Sequence, residues 1–371
     1  MAAEPIRKKR ALIFPGFRIG TLTGMGKGLA AAFPGEAGAV FDEVDDILGF
    51  ELSSLMFNGP EDKLKLLENR LPAVFALNMA IMRVLESRAK TLGVWKDLKD
   101  SIDGYVGHSF GEYAALCVAG SIDFKKTVQL MRDNGRSMDR DQRMQDGAMA
   151  IVFGTEKTPV IPSEFAKKIA DEAALRATAR TGKAQFCMVV NDNAPNQAVF
   201  SGHKEAIAEI KRIAIEQKLG VKAFNYGVPA HSQSFMGDAV KALRGFVRQL
   251  EVRRPTVPFI SGCTAQVESN PARIRKLMSQ NIAEPVIWQD TVRYMIDRGV
   301  TEFIECGDQL CMTIASIGER SASSLKIFAL NTAESFDDFL RSLLPEPTAE
   351  MGHEAHARTG SGLGLAAKAA M

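Results

Sequence analysis

The sequence predicts an α/β fold in which a parallel sheet, flanked by helices, carries a smaller inserted unit. Short apolar runs bounded by turn residues alternate with helical patterns, the signature of a parallel sheet. From about Gly147 the order changes to β-α-β-β-α-β, which is that of a ferredoxin-like unit. The chain has 371 residues, 46% of them hydrophobic and 24% charged. That is enough for one large domain or two smaller ones with ample core.

"RALIFPGF" predicts a buried strand over 11–14, closed by a Pro-Gly turn. Helical patterns follow over 24–57 and 72–92, and "IDGYVG" predicts a second buried strand. A short helix is expected over 110–119, then an amphipathic one in "DFKKTVQLMRDNGRSM". In the inserted unit, "AMAIVFG" is a strand and "PSEFAKKIADEAALRA" a helix. "FCMVVNDN" and "AVFSG" are strands joined by a Pro-Asn turn, "HKEAIAEIKRIAIEQK" is a helix and "VKAFNYG" the last strand. The large domain resumes with the loop and helix of "VPAHSQSFMGDAVKALRGFVRQL", then "VPFISG", the helix of "EPVIWQDTVRYMIDRG" and the strand "EFIECG". The expected boundaries are 10–146 and 227–344 for the large domain and 147–226 for the subdomain. Residues 345–371, rich in Gly, Ala and Thr and without an aromatic, read as a disordered tail.

The net charge of +2 offers no basis for nucleic acid or membrane as a partner. Five scattered cysteines without a C-x-x-C pair argue for a reducing compartment, against a disulfide framework and against a zinc site. No window is apolar enough to span a bilayer, and "MAAEPIRKKR" lacks the apolar run of a secretory signal. A cytoplasmic, monomeric enzyme or binding protein is the expectation.

"DGYVGHSFGEYAAL" places Ser109 between Gly107 and Gly111, behind a strand and ahead of a helix. This is the G-x-S-x-G pattern of a nucleophile elbow. A serine hydroxyl needs a base within hydrogen-bond reach. Of the five histidines, His353 and His356 fall in the tail and His108 lies within the elbow itself. His203 reads as a helix-start residue, which leaves His231, on the loop where the chain returns to the large domain, as the best base. The helix after the serine aims its N-terminal dipole at the elbow, so the Phe110 amide is a natural oxyanion donor. Phe17, in the "FPGF" turn, could supply a second if the two strands are neighbours.

These segments resemble the malonyl-CoA:acyl-carrier-protein transacylase family, which includes the acyltransferase domains of polyketide synthases. "GHSFGEYAALCVAG" is similar to its active-site segment and "VPAHSQSFM" to its histidine loop. "NIAEPVIW", "EFIECGDQ" and "MVVNDNAPNQAVFSG" match three further segments, all in order across about residues 10 to 335. The resemblance implies an α/β-hydrolase-like large domain with a ferredoxin-like subdomain. It implies a ping-pong reaction in which Ser109 takes an acyl group from an acyl-CoA or acyl-carrier-protein thioester and passes it to a carrier-protein phosphopantetheine thiol. His231 would be the base, oriented by the main-chain carbonyl of Asn281. Phosphopantetheine belongs to the substrates, and no cofactor or metal is implied.

The chain departs from that family where the acyl group is held. Malonyl-type members carry an arginine that forks onto the substrate carboxylate. The ungapped position, 25 residues beyond Ser109, is Asn134. Arg132 and Arg136 flank it about 200° around a helix, and Arg140 or Arg143 would have to fold in from elsewhere. An asparagine cannot form the bidentate charge-assisted pair. Leu71 stands where the family has glutamine, and Phe17 where its turn has another. With His108, these positions describe a substrate pocket for an acyl group that is not a dicarboxylate: acetyl, a longer aliphatic chain or an assembly-line intermediate. Two further readings share the catalytic pair, an acyl-carrier-protein hydrolase using water and ordinary malonyl transacylation. A docking protein that lost its chemistry is disfavoured by the intact Ser109, His231 and Asn281.

Overall fold

The computed structural model describes residues 8–16, 20–140, 146–224 and 229–344. Its strands are β1 (Lys9–Phe14), β2 (Ile102–Gly107), β3 (Gly147–Phe153), β4 (Cys187–Ala194), β5 (Gln197–His203), β6 (Gly220–Ala223), β7 (Phe259–Ser261), β8 (Gln266–Glu268), β9 (Val300–Glu305) and β10 (Lys326–Ala329). Six of them form one sheet in the order β10-β9-β1-β2-β7-β8, parallel except where β8 turns back on β7. The central strand β1 is apolar throughout its second half, and Ala11, Leu12, Ile13 and Phe14 are fully buried. A strand covered on both faces has no reason to alternate.

The other four strands form an antiparallel sheet in the order β4-β5-β3-β6, as the ferredoxin-like order requires. Its alternation decides which residues reach the large domain. Ala150, Val152, Ala198 and Phe200 pack beneath the helices Ser163–Thr181 and Lys204–Glu216. Met149, Ile151, Val190 and Val199 point the other way and join the core of the large domain.

The helical stretch expected over 24–57 is divided into Lys27–Ala32, a π-helical turn Pro34–Gly38, Ala39–Leu48 and Leu52–Asn58. Pro34 lacks the N–H that would continue a helix, and Gly49 ends one in a left-handed conformation with φ 72°. The helix expected from residue 72 runs over Leu67–Thr91 and contains Pro72. Pro72 cannot donate to the Glu68 carbonyl, and Arg132 Nη1 donates to it instead at 2.9 Å. From the same helix, Phe124–Arg140, Asp139 accepts from the Leu67 and Glu68 amides at 3.1 and 2.9 Å. One helix thus caps the start of the other and repairs its proline. Five helices not anticipated from patterning complete the large domain as described: Glu61–Lys65, Trp95–Ser101, Pro271–Gln280, Cys311–Arg320 and Ala333–Arg341. Among the described residues no helix is long and apolar enough to cross a membrane.

The crossing of Leu67–Thr91 and Phe124–Arg140 pivots on Gly135, where an added Cβ would lie 2.3 Å from the Leu67 carbonyl oxygen. In an unencumbered helix Gly→Ala gains up to about 1 kcal/mol. Here Gly135→Ala is expected to lose about 1–3 kcal/mol by forcing the two helices apart. Denaturant unfolding of the variant checks the sign, and stabilisation would show that the contact does not restrain the pair.

Candidate active site

The nucleophile turn is enforced by close backbone approach. Ser109 sits between β2 and the helix Gly111–Val118 with φ 57°, a left-handed conformation that a non-glycine residue adopts at a cost of about 1–3 kcal/mol. A Cβ on Gly107 would fall 2.1 Å from the Glu112 nitrogen, and one on Gly111 1.8 Å from the Phe14 carbonyl oxygen. Both positions therefore have to be glycine. The His108 amide donates to that same Phe14 carbonyl at 3.0 Å, so β1 supports the elbow from beneath.

His231 meets the serine from the opposite side. Its backbone is also left-handed, φ 61°, and its amide is held by the Ile282 carbonyl at 2.7 Å. Nε2 lies 2.7 Å from Ser109 Oγ, and Nδ1 lies 2.8 Å from the Glu284 carbonyl oxygen. A carbonyl can only accept, so Nδ1 carries the proton and Nε2 is left to accept the serine's. Burial pushes the His231 pKa down from 6.5 to about 4, against the opposing effect of the Glu284 carbonyl. The ring is therefore neutral near pH 7 and ready to act as a base.

The carbonyl that orients His231 corrects the expectation placed on Asn281. That bond comes from Glu284, three residues on, and the Asn281 backbone exerts a weaker influence of the same sign. The turn 281–284 directs the later carbonyl at the ring because Ala283 and Glu284 both bond back to Gln280. Asn281 acts through its side chain: Nδ2 donates to the Ser109 carbonyl at 3.2 Å and to Glu112 Oε2 at 2.9 Å. Glu112 Oε1 accepts from Ser261 Oγ and the Gly262 amide, both at 2.7 Å. Burial raises the Glu112 pKa to about 7 although these donors and the Cys263 amide favour the carboxylate.

The Phe110 amide opens the helix behind the serine, where the sequence placed an oxyanion donor. Phe17 lies outside the described residues. The turn that precedes it does lie against the elbow, since a Cβ on Gly16 would be 2.9 Å from the Phe110 nitrogen.

A cavity of about 90 Å³ opens over Ser109 and His231. His108, Asn191, Asn193 and Gln197 give it a polar wall, and Pro15, Met149, Val199, Phe224, Ala230 and Leu310 an apolar one. Burial lowers the His108 pKa, and its Nε2 bonds Asn193 Oδ1 at 2.9 Å. Neither Asn134 nor Leu71 belongs to the cavity wall, which corrects their placement as substrate contacts. Both are buried on the paired helices Phe124–Arg140 and Leu67–Thr91, and the Asn134 amide has no hydrogen-bond partner among the described residues. Arg132 and Arg136 are committed to Glu68 at 3.3 and 3.0 Å, Arg140 is exposed, and Arg143 lies outside the described residues. Among the described residues no lysine or arginine lines this cavity.

Several site groups escaped sequence reasoning. Glu284 works through a backbone oxygen, which no residue type announces. Glu112 could have been noticed as an acidic residue inside an otherwise apolar helix start. Asn191 and Gln197 sit in a segment already singled out, but their direction depends on the fold of the inserted sheet.

Three comparisons bear on this geometry. Residues 20–330 match the family described as acyl transferase domain. The malonyl CoA-acyl carrier protein transacylase of Bacillus subtilis is 29% identical over 341 residues, covering 91% of this chain and 98% of its own. The crystal structure of an acyl-carrier-protein-S-malonyltransferase from Bartonella henselae superposes with a TM-score of 0.76 at 30% identity, covering 90% of this chain and 99% of the other. A malonyl-transacylase solved in complex with a type II polyketide synthase acyl-carrier protein gives a TM-score of 0.72 at 27% identity, covering 90% of this chain and 100% of the other.

A base must be neutral to take the serine proton, so lowering its pKa extends the active range to lower pH. Acylation of Ser109, followed by rapid quench, is expected to hold steady from pH 8 to about 5.5 and to fall by half near the His231 value of about 4. A midpoint near 6.5 would show a histidine as hydrated as a free one.

Proposed function

The chain belongs to the acyl transferase family, and from that premise we propose that it moves a short, uncharged acyl group from a thioester, through a Ser109 acyl-enzyme, to the phosphopantetheine thiol of an acyl-carrier protein in fatty-acid or polyketide synthesis. The observation that carries the choice of acyl group is the cavity wall, which has amides and apolar side chains but no cation among the described residues. A buried carboxylate without a partner is costly, by several kcal/mol. The relatives named for malonyl transfer therefore support the reaction type more strongly than the donor. A cavity of roughly 150 Å³ admits a benzene ring; one of about 90 Å³ suits a few-carbon acyl group better than a long aliphatic chain.

The Ser109 hydroxyl proton passes to His231 Nε2 as Oγ bonds to the thioester carbon. The oxyanion is held by the Phe110 amide, with Phe17 as the second donor on the same reading. The carbon–sulfur bond breaks, and the departing sulfur takes the proton from Nε2. The carrier thiol then gives its proton to Nε2 and its sulfur bonds to the ester carbon; the carbon–Oγ bond breaks and Ser109 Oγ takes the proton back from Nε2. Glu284 stabilises the imidazolium that forms in each half-reaction. No metal or bound cofactor enters this sequence. Residues 10–146 with 227–344 form the catalytic domain on this reading, and 147–226 add Asn191, Asn193 and Gln197 to the polar wall of the acyl cavity.

Intact-mass spectrometry after incubation with malonyl-, acetyl-, propionyl- and octanoyl-CoA tests the proposal. Acetyl and propionyl adducts are expected on Ser109, absent from Ser109→Ala and slowed about 10²–10⁴-fold in His231→Ala. A dominant malonyl adduct would overturn the uncharged-acyl reading. Rapid loss of the adduct in water, with no transfer to a carrier thiol, would make the enzyme a hydrolase.

A further inference from the structure

Among the described residues, the wall of the acyl cavity holds one buried side-chain atom without a hydrogen-bond partner, Asn191 Oδ1. Asn193 Oδ1 is bonded to His108 Nε2 at 2.9 Å, and Asn193 Nδ2 donates to Gln197 Oε1 at 3.0 Å. Thr313 Oγ1 donates to the Leu310 carbonyl at 2.7 Å and accepts from Trp288 Nε1 at 3.2 Å. Ser109 and His231 are bonded to each other. Asn191 is different: it lines the cavity, is 6% exposed, and its Oδ1 has no partner among the described residues.

The backbone leaves Asn191 little freedom to turn elsewhere. β4 breaks register with β5 at this point, between Val189 and Asn191. Such irregularities re-aim a side chain. On its other edge the segment bridges to the large domain at Val286, whose amide donates to Val190 and whose carbonyl accepts from Asp192, at 2.9 and 3.1 Å. The Asp192 carboxylate is held by Gln289 at 2.9 Å and Ser163 at 2.7 Å. A residue pinned on both edges cannot easily swing its amide to a new partner. Leaving a buried acceptor unpaired is unfavourable, and enzymes use that penalty to discriminate between substrates with and without a matching hydroxyl.

We propose that Asn191 is a specificity residue, and that the preferred acyl group is a short one bearing a hydroxyl that donates to the Asn191 carboxamide. This rests on the reading that Ser109 is acylated by an uncharged thioester and adds the polar function that the acyl chain carries. Asn191 takes no part in bond making; it distinguishes two substrates by one hydrogen bond.

The test is a ratio of acylation rates for paired thioesters, hydroxyacetyl- against acetyl-CoA and 3-hydroxybutyryl- against butyryl-CoA. In the wild-type enzyme at least one hydroxylated member is expected to be faster by about ten-fold or more. Asn191→Leu, which keeps the branching at Cγ but can neither accept nor donate a hydrogen bond, is expected to bring that ratio to about one or below. The wild-type ratio needs no variant, so a misfolded Asn191→Leu leaves the test intact. Equal rates within both pairs would overturn the assignment while sustaining acyl transfer. A ratio unchanged in a folded Asn191→Leu would move the preference to another residue and overturn it also. Failure of every uncharged thioester to acylate Ser109 would instead bring down the functional reading beneath it, and the assignment with it.

Discussion

The buried carboxylate of Glu112 is the point on which the geometry of the site depends. Its two oxygens gather Ser261 and Gly262 from the end of β7 and Asn281 from the turn before His231's carbonyl partner. Asn281 in turn reaches the Ser109 carbonyl. One side chain therefore ties the nucleophile turn to the segment that orients the base. This matters because Ser109 and His231 both occupy left-handed backbone, which neither would choose unaided. Burial raises the Glu112 pKa to about 7, so the carboxyl is retained at an electrostatic cost that its hydrogen-bond donors only partly offset.

The inserted sheet contributes to the site through its alternation. Because side chains alternate along β3, β4 and β5, each strand gives one face to its own helices and one to the large domain. Met149 and Val199 reach the cavity from that second face. The parallel bridge between Asn191 and Val286 then fixes the depth at which the polar wall stands. The catalytic pair belongs wholly to the large domain, whereas the other polar side chains of the cavity come from both parts, His108, Gln309 and Thr313 from the large domain and Asn191, Asn193 and Gln197 from the insertion.

What could be read in advance follows from how local each signal is. The elbow was legible because Gly107, Ser109 and Gly111 lie within five residues and each glycine is demanded by a backbone contact too close for a Cβ. His231 was legible by elimination among five histidines. The inserted sheet and four strands of the larger one followed from period and order; β8 and β10, three and four residues long, did not. The start of the helix at Leu67 was not legible, because Pro72 argues against it and the compensating donor, Arg132, is 60 residues away. For Asn281 the backbone has the weaker hold on His231 and Glu284 the stronger: a matching position fixes a residue, but which nearby carbonyl meets the ring depends on the four-residue turn 281–284. Asn134 and Leu71 were read as pocket residues from position alone, and the structure seats them between two helices, off the cavity wall.

That displacement bears on why no cation lines the cavity among the described residues. A guanidinium at position 134 would be a long cation needing a carboxylate, from substrate or protein, to offset its burial. Asparagine and leucine are shorter, and both are buried in the paired helices Phe124–Arg140 and Leu67–Thr91 without reaching the space over Ser109. The neighbouring arginines are drawn to Glu68, where Arg132 also repairs the proline of the facing helix. Recruiting Arg132 to the cavity would therefore leave the Glu68 carbonyl without the donor that Pro72 cannot provide. The same helix pair that closes one side of the fold keeps Arg132 and Arg136 away from the space over Ser109, so the lack of a cation among the described residues of the cavity wall goes with packing at a distance as well as with the single residue at 134.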